Sequence, residues 1–372
     1  MASAYAGRII DSDGHIFEDL EAIKQALPLS WRSSAAWQGI SPHRWLGPFP
    51  TLDHMHNFLA VTPPGGFKDP GGPDGWFKFM DDVGISSAVL YPTDALSYGR
   101  IVDDDVAIEV GRAYNDWLSE TYVKASPRFQ GMALIPMQDP DEAVAELRRA
   151  IEELGLCGAM LPATGLKAHL GSKEYWPVYQ EADRLGCCLA VHGGCYSNLG
   201  FNDVNVFSIA HSMGHSLANT IGFTSMLFNG VFDKFPNARY GFLESGVGWF
   251  LMALERCDSS YKAFAPLDPR GKYLRLAAGE SVADYIRRQC DEGRIAIGIE
   301  GDEPDLAYAI DLVGRKPFMY ATDFPHEVNR EIVQDGIDEI EQNEELNDGD
   351  KAAIFYLNAE RFYGLQPVST GA

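Results

Sequence analysis

The feature that most restricts how this chain can fold is a repeat of short apolar runs separated by helical stretches. Eight runs carry it: Arg8–Asp13, Ser86–Tyr91, Gln130–Pro136, Gly158–Pro162, Cys188–His192, Ala238–Glu244, Ile295–Ile299 and Phe318–Thr322. Most are apolar on both faces, the pattern of strands buried between helices rather than strands with a wet side. Between them Asp104–Lys124, Pro140–Leu154, Lys173–Leu185 and Val247–Tyr261 read as helices. Ala107, Val110, Tyr114 and Trp117 share one face at helical spacing. Pro140 before Asp141 and Glu142 suits a helix start, where the missing N–H costs nothing and the dipole favours acids. Eight strand–helix units predict an α/β fold, a (β/α)8 barrel. An open doubly wound sheet is the alternative that the same alternation allows.

With 372 residues, 46% of them hydrophobic, the chain suits one barrel domain spanning residues 1–372 around one core. Two segments interrupt the repeat. Leu27–Asp74, with "PHRWLGPFP" and "TPPGGFKDPGGPDG", is too long for an ordinary connection after the first strand. Its aromatic content suits a lid over the barrel mouth. Ala263–Gly279 reads as a second excursion after the sixth strand. Tyr91, Trp249, Trp45 and Phe49 read singly as packing.

A formal net charge of -23 excludes nucleic acid as a partner, since phosphate contacts rely on clustered Lys and Arg. The same negative field does not attract an anionic small molecule, so a carboxylate substrate needs a local positive centre. A bound metal ion provides one. No apolar run reaches the length of a membrane span, and Met1–Arg8 shows no secretory signal. The six cysteines form no CxxC pair, which suits reduced thiols and a cytoplasmic setting.

Barrel enzymes carry their chemistry at the C-terminal ends of strands. At the end of the first run, "IIDSDGHIFED" places Asp13 and His15 two apart, on one side of a strand; they can serve one ion, or only close a turn. The fifth run ends in His192 ("CLAVHGG") and the eighth in Asp323 ("FMYATDFPHE"). Two imidazoles and two carboxylates suit one divalent ion, Zn²⁺ first, with Mn²⁺ and Fe²⁺ as alternatives. Glu18 completes a D-x-H-x-x-E pattern as a substrate contact or an exposed acid. His211 and His215, four apart, can line a pocket from one helix face. His326 follows Asp323 closely enough to touch substrate or move a proton.

The chain resembles the amidohydrolase-related family that includes aminocarboxymuconate-semialdehyde and γ-resorcylate-type decarboxylases. The text that carries the resemblance is "DSDGHIFED", "AVHGG", "GVFDKFPNARYGFLESGVGWFLMALERCD", "ATDFPHE" and "LNAERFYGL", in that order from residue 11 to 365. It implies a (β/α)8 barrel, with Asp13, His15, His192 and Asp323 holding a single metal and Asp323 also handling a proton. It also implies a homodimer or homotetramer. The fourth strand, "GAMLPA", lacks the lysine or carboxylate that bridges two metals in binuclear members, which favours one ion. Glu244 stands where many decarboxylases of the group carry a histidine. Its catalytic or orienting role stands against a plain salt bridge to Arg256. The resemblance puts non-oxidative decarboxylation of a small aromatic or unsaturated acid first. Hydrolysis of an ester, amide, lactone or C–C bond by a metal-activated water follows, and a non-catalytic binding barrel comes last.

Overall fold

The computed structural model describes residues 4–33, 49–50, 66–196, 199–201, 204–269 and 273–366. Eight parallel strands form one sheet in sequential order: β1 (Ile9–Ile16), β2 (Ile85–Pro92), β3 (Phe129–Leu134), β4 (Gly158–Pro162), β5 (Cys188–His192), β6 (Arg239–Phe242), β7 (Ile295–Ile299) and β8 (Phe318–Tyr320). A doubly wound sheet reverses its strand order part-way across; this one never does. The two outer strands are tied together instead. Asp11 of β1 is wholly buried, and its carboxylate accepts from the Thr322 backbone N–H at 3.0 Å and the Thr322 hydroxyl at 2.7 Å. Asp323 N–H donates to Asp13 O at 2.9 Å, and His15 N–H to Phe324 O at 2.7 Å. The result is a nearly closed barrel.

The strands are buried because helices cover the outside of the sheet. β4, β5 and β7 have no exposed residue, as runs apolar on both faces require. The helix Asp104–Leu118 is pinned to β3 by Asn115, which donates to Leu134 O at 2.9 Å and accepts from Leu134 N–H at 2.8 Å. Pro140 does open a helix, Pro140–Glu152. Asp139 caps it by accepting from the N–H groups of Asp141 and Glu142.

Four strand ends move by two residues or more. β1 runs three residues beyond Asp13, since pairing with β2 continues through Gly14↔Leu90 and Ile16↔Pro92. The polar run Asp11–His15 hides that extension from a hydropathy reading. β3 stops short of Pro136. β6 ends before Glu244, whose φ of 52° leaves the extended region. β8 ends before Thr322, which spends its hydrogen bonds on Asp11.

The Leu27–Asp74 insertion is not loop throughout. Short helix Leu29–Arg32 lies at its start, and helix Gly72–Val83 begins at its end. Trp45 and most of the expected lid, residues 34–48 and 51–65, lie outside the described residues. Phe49 is buried. After β6 the helix Gly248–Phe264 outlasts Tyr261 and yields to a 3-10 turn at Ala265–Leu267.

Candidate functional site

Asp13 and His15 face the barrel axis from a part of β1 where the register with β2 shifts between Asp11 and Gly14. Gly14 between them has no substitute. A Cβ there would lie 2.5 Å from the Trp76 ring and 2.9 Å from the Asp11 carboxylate. Trp76 therefore backs the strand and keeps both side chains turned inward.

His192 arrives from the end of β5, Glu244 from the loop after β6 and Asp323 from the loop after β8. His15 Nε2 is the hub, 3.5 Å from Asp13 Oδ1, 3.4 Å from Glu244 Oε1 and 3.3 Å from Asp323 Oδ1. His192 Nε2 stands 3.5 Å from the same Asp13 oxygen. The other ring nitrogens are held from behind: His15 Nδ1–H donates to Pro92 O at 2.7 Å and His192 Nδ1–H to Gly193 O at 3.1 Å. A carbonyl can only accept, so each neutral ring turns its bare Nε2 into the cluster, as metal-ligating histidines do.

The buried atoms at the centre have no hydrogen bond: Asp13 Oδ1, His15 Nε2, His192 Nε2, Glu244 Oε2 and Asp323 Oδ1. Buried polar atoms are rarely left so. Donors about 2.1 Å from one ion lie about 3.0–3.4 Å apart, the shorter value for six donors and the longer for four; the separations here are close to that range, so the set fits a divalent ion. Asp13, His15, His192 and Glu244 each offer a donor atom within 4.8 Å of the others, and so do His15, Glu244, Asp323 and His326.

Charge in the cluster follows its contacts. Burial lowers His15, and the neighbouring His326 pushes the same way. Burial also opposes charge on His192, but Glu244 and Asp13 outweigh it and raise the group to about 9. Burial would raise Glu244, yet His192 and His215 hold it well below the usual carboxylate range. Burial pushes Asp323 well up, with His326 pulling the other way. His326 is raised despite its burial, chiefly by Asp323.

A cavity of about 530 Å³ opens above the cluster, lined by Phe67, His211, His215, Glu244, Asp323 and His326 among others. His326 Nδ1 is 2.8 Å from Asp323 Oδ1, and its Nε2 pairs with the Thr93 hydroxyl at 3.1 Å. The ring is stacked between His15 and Phe67, with centroids 4.0 and 5.1 Å away. His215 Nδ1 is 2.9 Å from Glu244 Oε2, and His211 Nε2 is 3.1 Å from Glu327 Oε1. Among the described residues the non-glycine positions with positive φ are Phe67, Glu244 and Asp323, at 47°, 52° and 54°. All three line this cavity, and such backbone strain gathers where the surroundings over-determine a functional geometry.

The expected residues thus fall into two groups. Asp13, His15, His192, Asp323, Glu244 and His326 come together, and His215 and His211 stand at the cavity wall. Glu18 does not line it: its carboxylate accepts from the N–H groups of Asp94 at 3.0 Å and Ala95 at 2.8 Å, holding the loop that carries Thr93. Nor does Glu244 pair with Arg256, which is exposed on the helix after β6. Asp11, Thr93, Phe67 and Glu327 were not singled out by the sequence reading. Asp11 had a signal, since it precedes Asp13 and His15 at the same two-residue spacing. Thr93 and Phe67 had none.

Comparison with known proteins places this arrangement in context. The chain is 25% identical to 2-amino-3-carboxymuconate-6-semialdehyde decarboxylase from Dictyostelium discoideum, over 77% of this chain and 74% of that protein. It is 24% identical to γ-resorcylate decarboxylase from Polaromonas sp. (strain JS666), over 77% of this chain and 86% of that one. Its fold matches that of 5-carboxyvanillate decarboxylase from Novosphingobium aromaticivorans, solved with manganese and 4-hydroxy-3-methoxy-5-nitrobenzoic acid. The TM-score is 0.72 at 18% identity, and the match covers 98% of each chain. A family model described as Amidohydrolase matches residues 10–365, nearly the whole chain, and the chain belongs to that family.

Proposed function

We propose that the chain catalyses metal-dependent, non-oxidative decarboxylation of a small aromatic or unsaturated carboxylic acid. The observation that carries the reading is the pair of half-buried Asp323 and buried His326, 2.8 Å apart, with Asp323 Oδ1 3.3 Å from His15 Nε2 at the floor of the cavity. Two relatives with that activity in their names, each aligned over 77% of this chain, support it. Asp13, His15, His192 and Asp323 are the residues we assign to one divalent ion. When bound, the ion supplies the positive centre that an acidic chain otherwise lacks for a substrate carboxylate.

The residues of the chain do the rest. Asp323 carries the proton, which its burial favours. As the bond to the carboxyl group breaks, the bonding pair stays on the substrate carbon and takes that proton, and carbon dioxide leaves. His326 then returns a proton from water to Asp323, with Thr93 fixing the ring. Phe67 offers an aromatic face at the cavity wall, and about 530 Å³ suits a small molecule. We read residues 1–372 as one catalytic unit, working as a homodimer or homotetramer.

Hydrolysis is the second reading. It is favoured by Glu244, a carboxylate facing the cavity from the end of β6, placed to take a proton from water. Incubating the metal-loaded protein with hydroxybenzoates and with aryl esters or lactones in ¹⁸O-water separates the two. Carbon dioxide release without label in the product supports the lyase. Label in the product with no carbon dioxide overturns it.

A further inference from the structure

We propose that Glu244 is itself a ligand of the metal ion, with Oε1 on the ligand side of His15 and Oε2 turned toward His215. The inference rests on the reading that the site binds a metal, and it adds a donor to Asp13, His15, His192 and Asp323.

The argument lies in which nitrogen each oxygen faces. A carboxylate that merely supports a ligand histidine accepts from the N–H on the far side of the ring. For His15 that position is already filled, since Nδ1–H donates to Pro92 O. Glu244 Oε1 faces Nε2 instead, at 3.4 Å, on the same side as Asp13 Oδ1 and Asp323 Oδ1. It therefore occupies the ligand side of His15. The other oxygen, Oε2, is 2.9 Å from His215 Nδ1; at 3.4 Å from His192 Nδ1 it gives no supporting bond there, because that N–H already donates to Gly193 O.

Three further observations agree. Glu244 joins Asp13, His15 and His192 in a set whose donor atoms all lie within 4.8 Å of one another. Its side chain is only 8% exposed, so the carboxylate faces the cluster rather than bulk water. Its backbone φ of 52° nearly repeats the 54° of Asp323. The acids after β6 and β8 both stand on left-handed backbone, which an ordinary surface glutamate would not require. Gly193 leaves the space that the His215 ring fills: a Cβ there would lie 2.1 Å from its Nδ1.

The consequence is an oxygen-rich site. Three carboxylates and two imidazoles exceed the four donors of tetrahedral zinc and suit a six-coordinate ion such as Mn²⁺.

The test is Mn²⁺ affinity, measured by chelator competition on the full chain and on Glu244→Gln, with no substrate present. Loss of an outer supporting partner weakens metal binding by about 10- to 100-fold. A loss greater than about 100-fold in Glu244→Gln supports the proposal, and a smaller one overturns it. A second measurement needs no variant. In Mn²⁺-soaked crystals, an anomalous peak about 2.2 Å from Glu244 Oε1 supports ligation, and one beyond about 3 Å overturns it. A parent chain that binds no Mn²⁺ overturns this proposal together with the metal reading. A parent that binds Mn²⁺ and releases no carbon dioxide overturns the decarboxylase reading alone.

Discussion

Asp11 and Thr322 are 311 residues apart in the chain, yet their side chains meet at 2.7 Å where β1 and β8 join. The bond is wholly buried, and the same carboxylate also takes the Thr322 backbone N–H. Losing one partner of such a pair strands the other in the core. Asp11→Ala should destabilise the chain by about 1–3 kcal/mol, read by urea unfolding. Thr322→Val should cost less, because it keeps the N–H. A double-mutant cycle should return a clear coupling. Additive effects would mean that the contact does not hold the seam.

Gly14 makes a sharper demand. Gly14→Ala forces the Trp76 ring away from β1, since the new methyl would sit 2.5 Å from it. We expect a loss of about 1–3 kcal/mol and weaker metal binding, because the strand carrying Asp13 and His15 must shift. Trp76→Phe should partly restore Gly14→Ala. A thermal scan of the three variants with and without Mn²⁺ checks both effects.

His326 and Asp323 should separate activity from metal binding. His326→Gln is expected to lower kcat about 100-fold while leaving metal content unchanged. Thr93→Val should lower it several-fold, through ring orientation alone. Asp323→Asn should abolish turnover and weaken the metal. Full activity in Asp323→Asn would remove its proton role.

Metal should also be visible in stability. An ion that binds only the folded chain raises the unfolding midpoint in proportion to the logarithm of its concentration. Chelation should lower the midpoint, Mn²⁺ should restore it, and His192→Ala should abolish the response.

One pH dependence can be read away from the site. Glu181 is 8% exposed and accepts from Arg148 and Arg184 at 2.7 Å, contacts that hold it down to about 2. Its folded value lies below the ordinary one of 4.5. The stability it contributes is therefore present above about 4.5 and fades as pH falls toward 2. Both arginines reach water, so screening leaves about 1 kcal/mol. Glu181→Gln should melt earlier than the parent at pH 7, and the gap should narrow below about pH 4.5 and close near pH 2.

Much of this molecule was legible because its strands are apolar on both faces. β4, β5 and β7 begin and end where hydropathy puts them. The reading faltered where the chain trades hydropathy for chemistry. β1 runs on through Asp13 and His15, and β6 and β8 stop early at residues with duties to other elements. His192 and Asp323 were legible as polar residues ending apolar runs. Thr93 and Phe67 were not, because their place at His326 depends on which loops meet above the barrel, and no local pattern records that. Glu18 misled for the opposite reason: its spacing was regular, but its carboxylate serves the loop after β2.

The seam between β1 and β8 also sets when in its synthesis the chain can become competent. A growing chain on the ribosome displays Asp13 and His15 early, then waits roughly three hundred residues for the strand that completes them. Until β8 emerges, Asp11 has no Thr322, His15 N–H has no Phe324 carbonyl, and the cluster lacks Asp323. Contacts of such long range form late and slowly. Metal capture should therefore be a terminal event, coincident with ring closure, and an ion that stays bound would report that the barrel has shut.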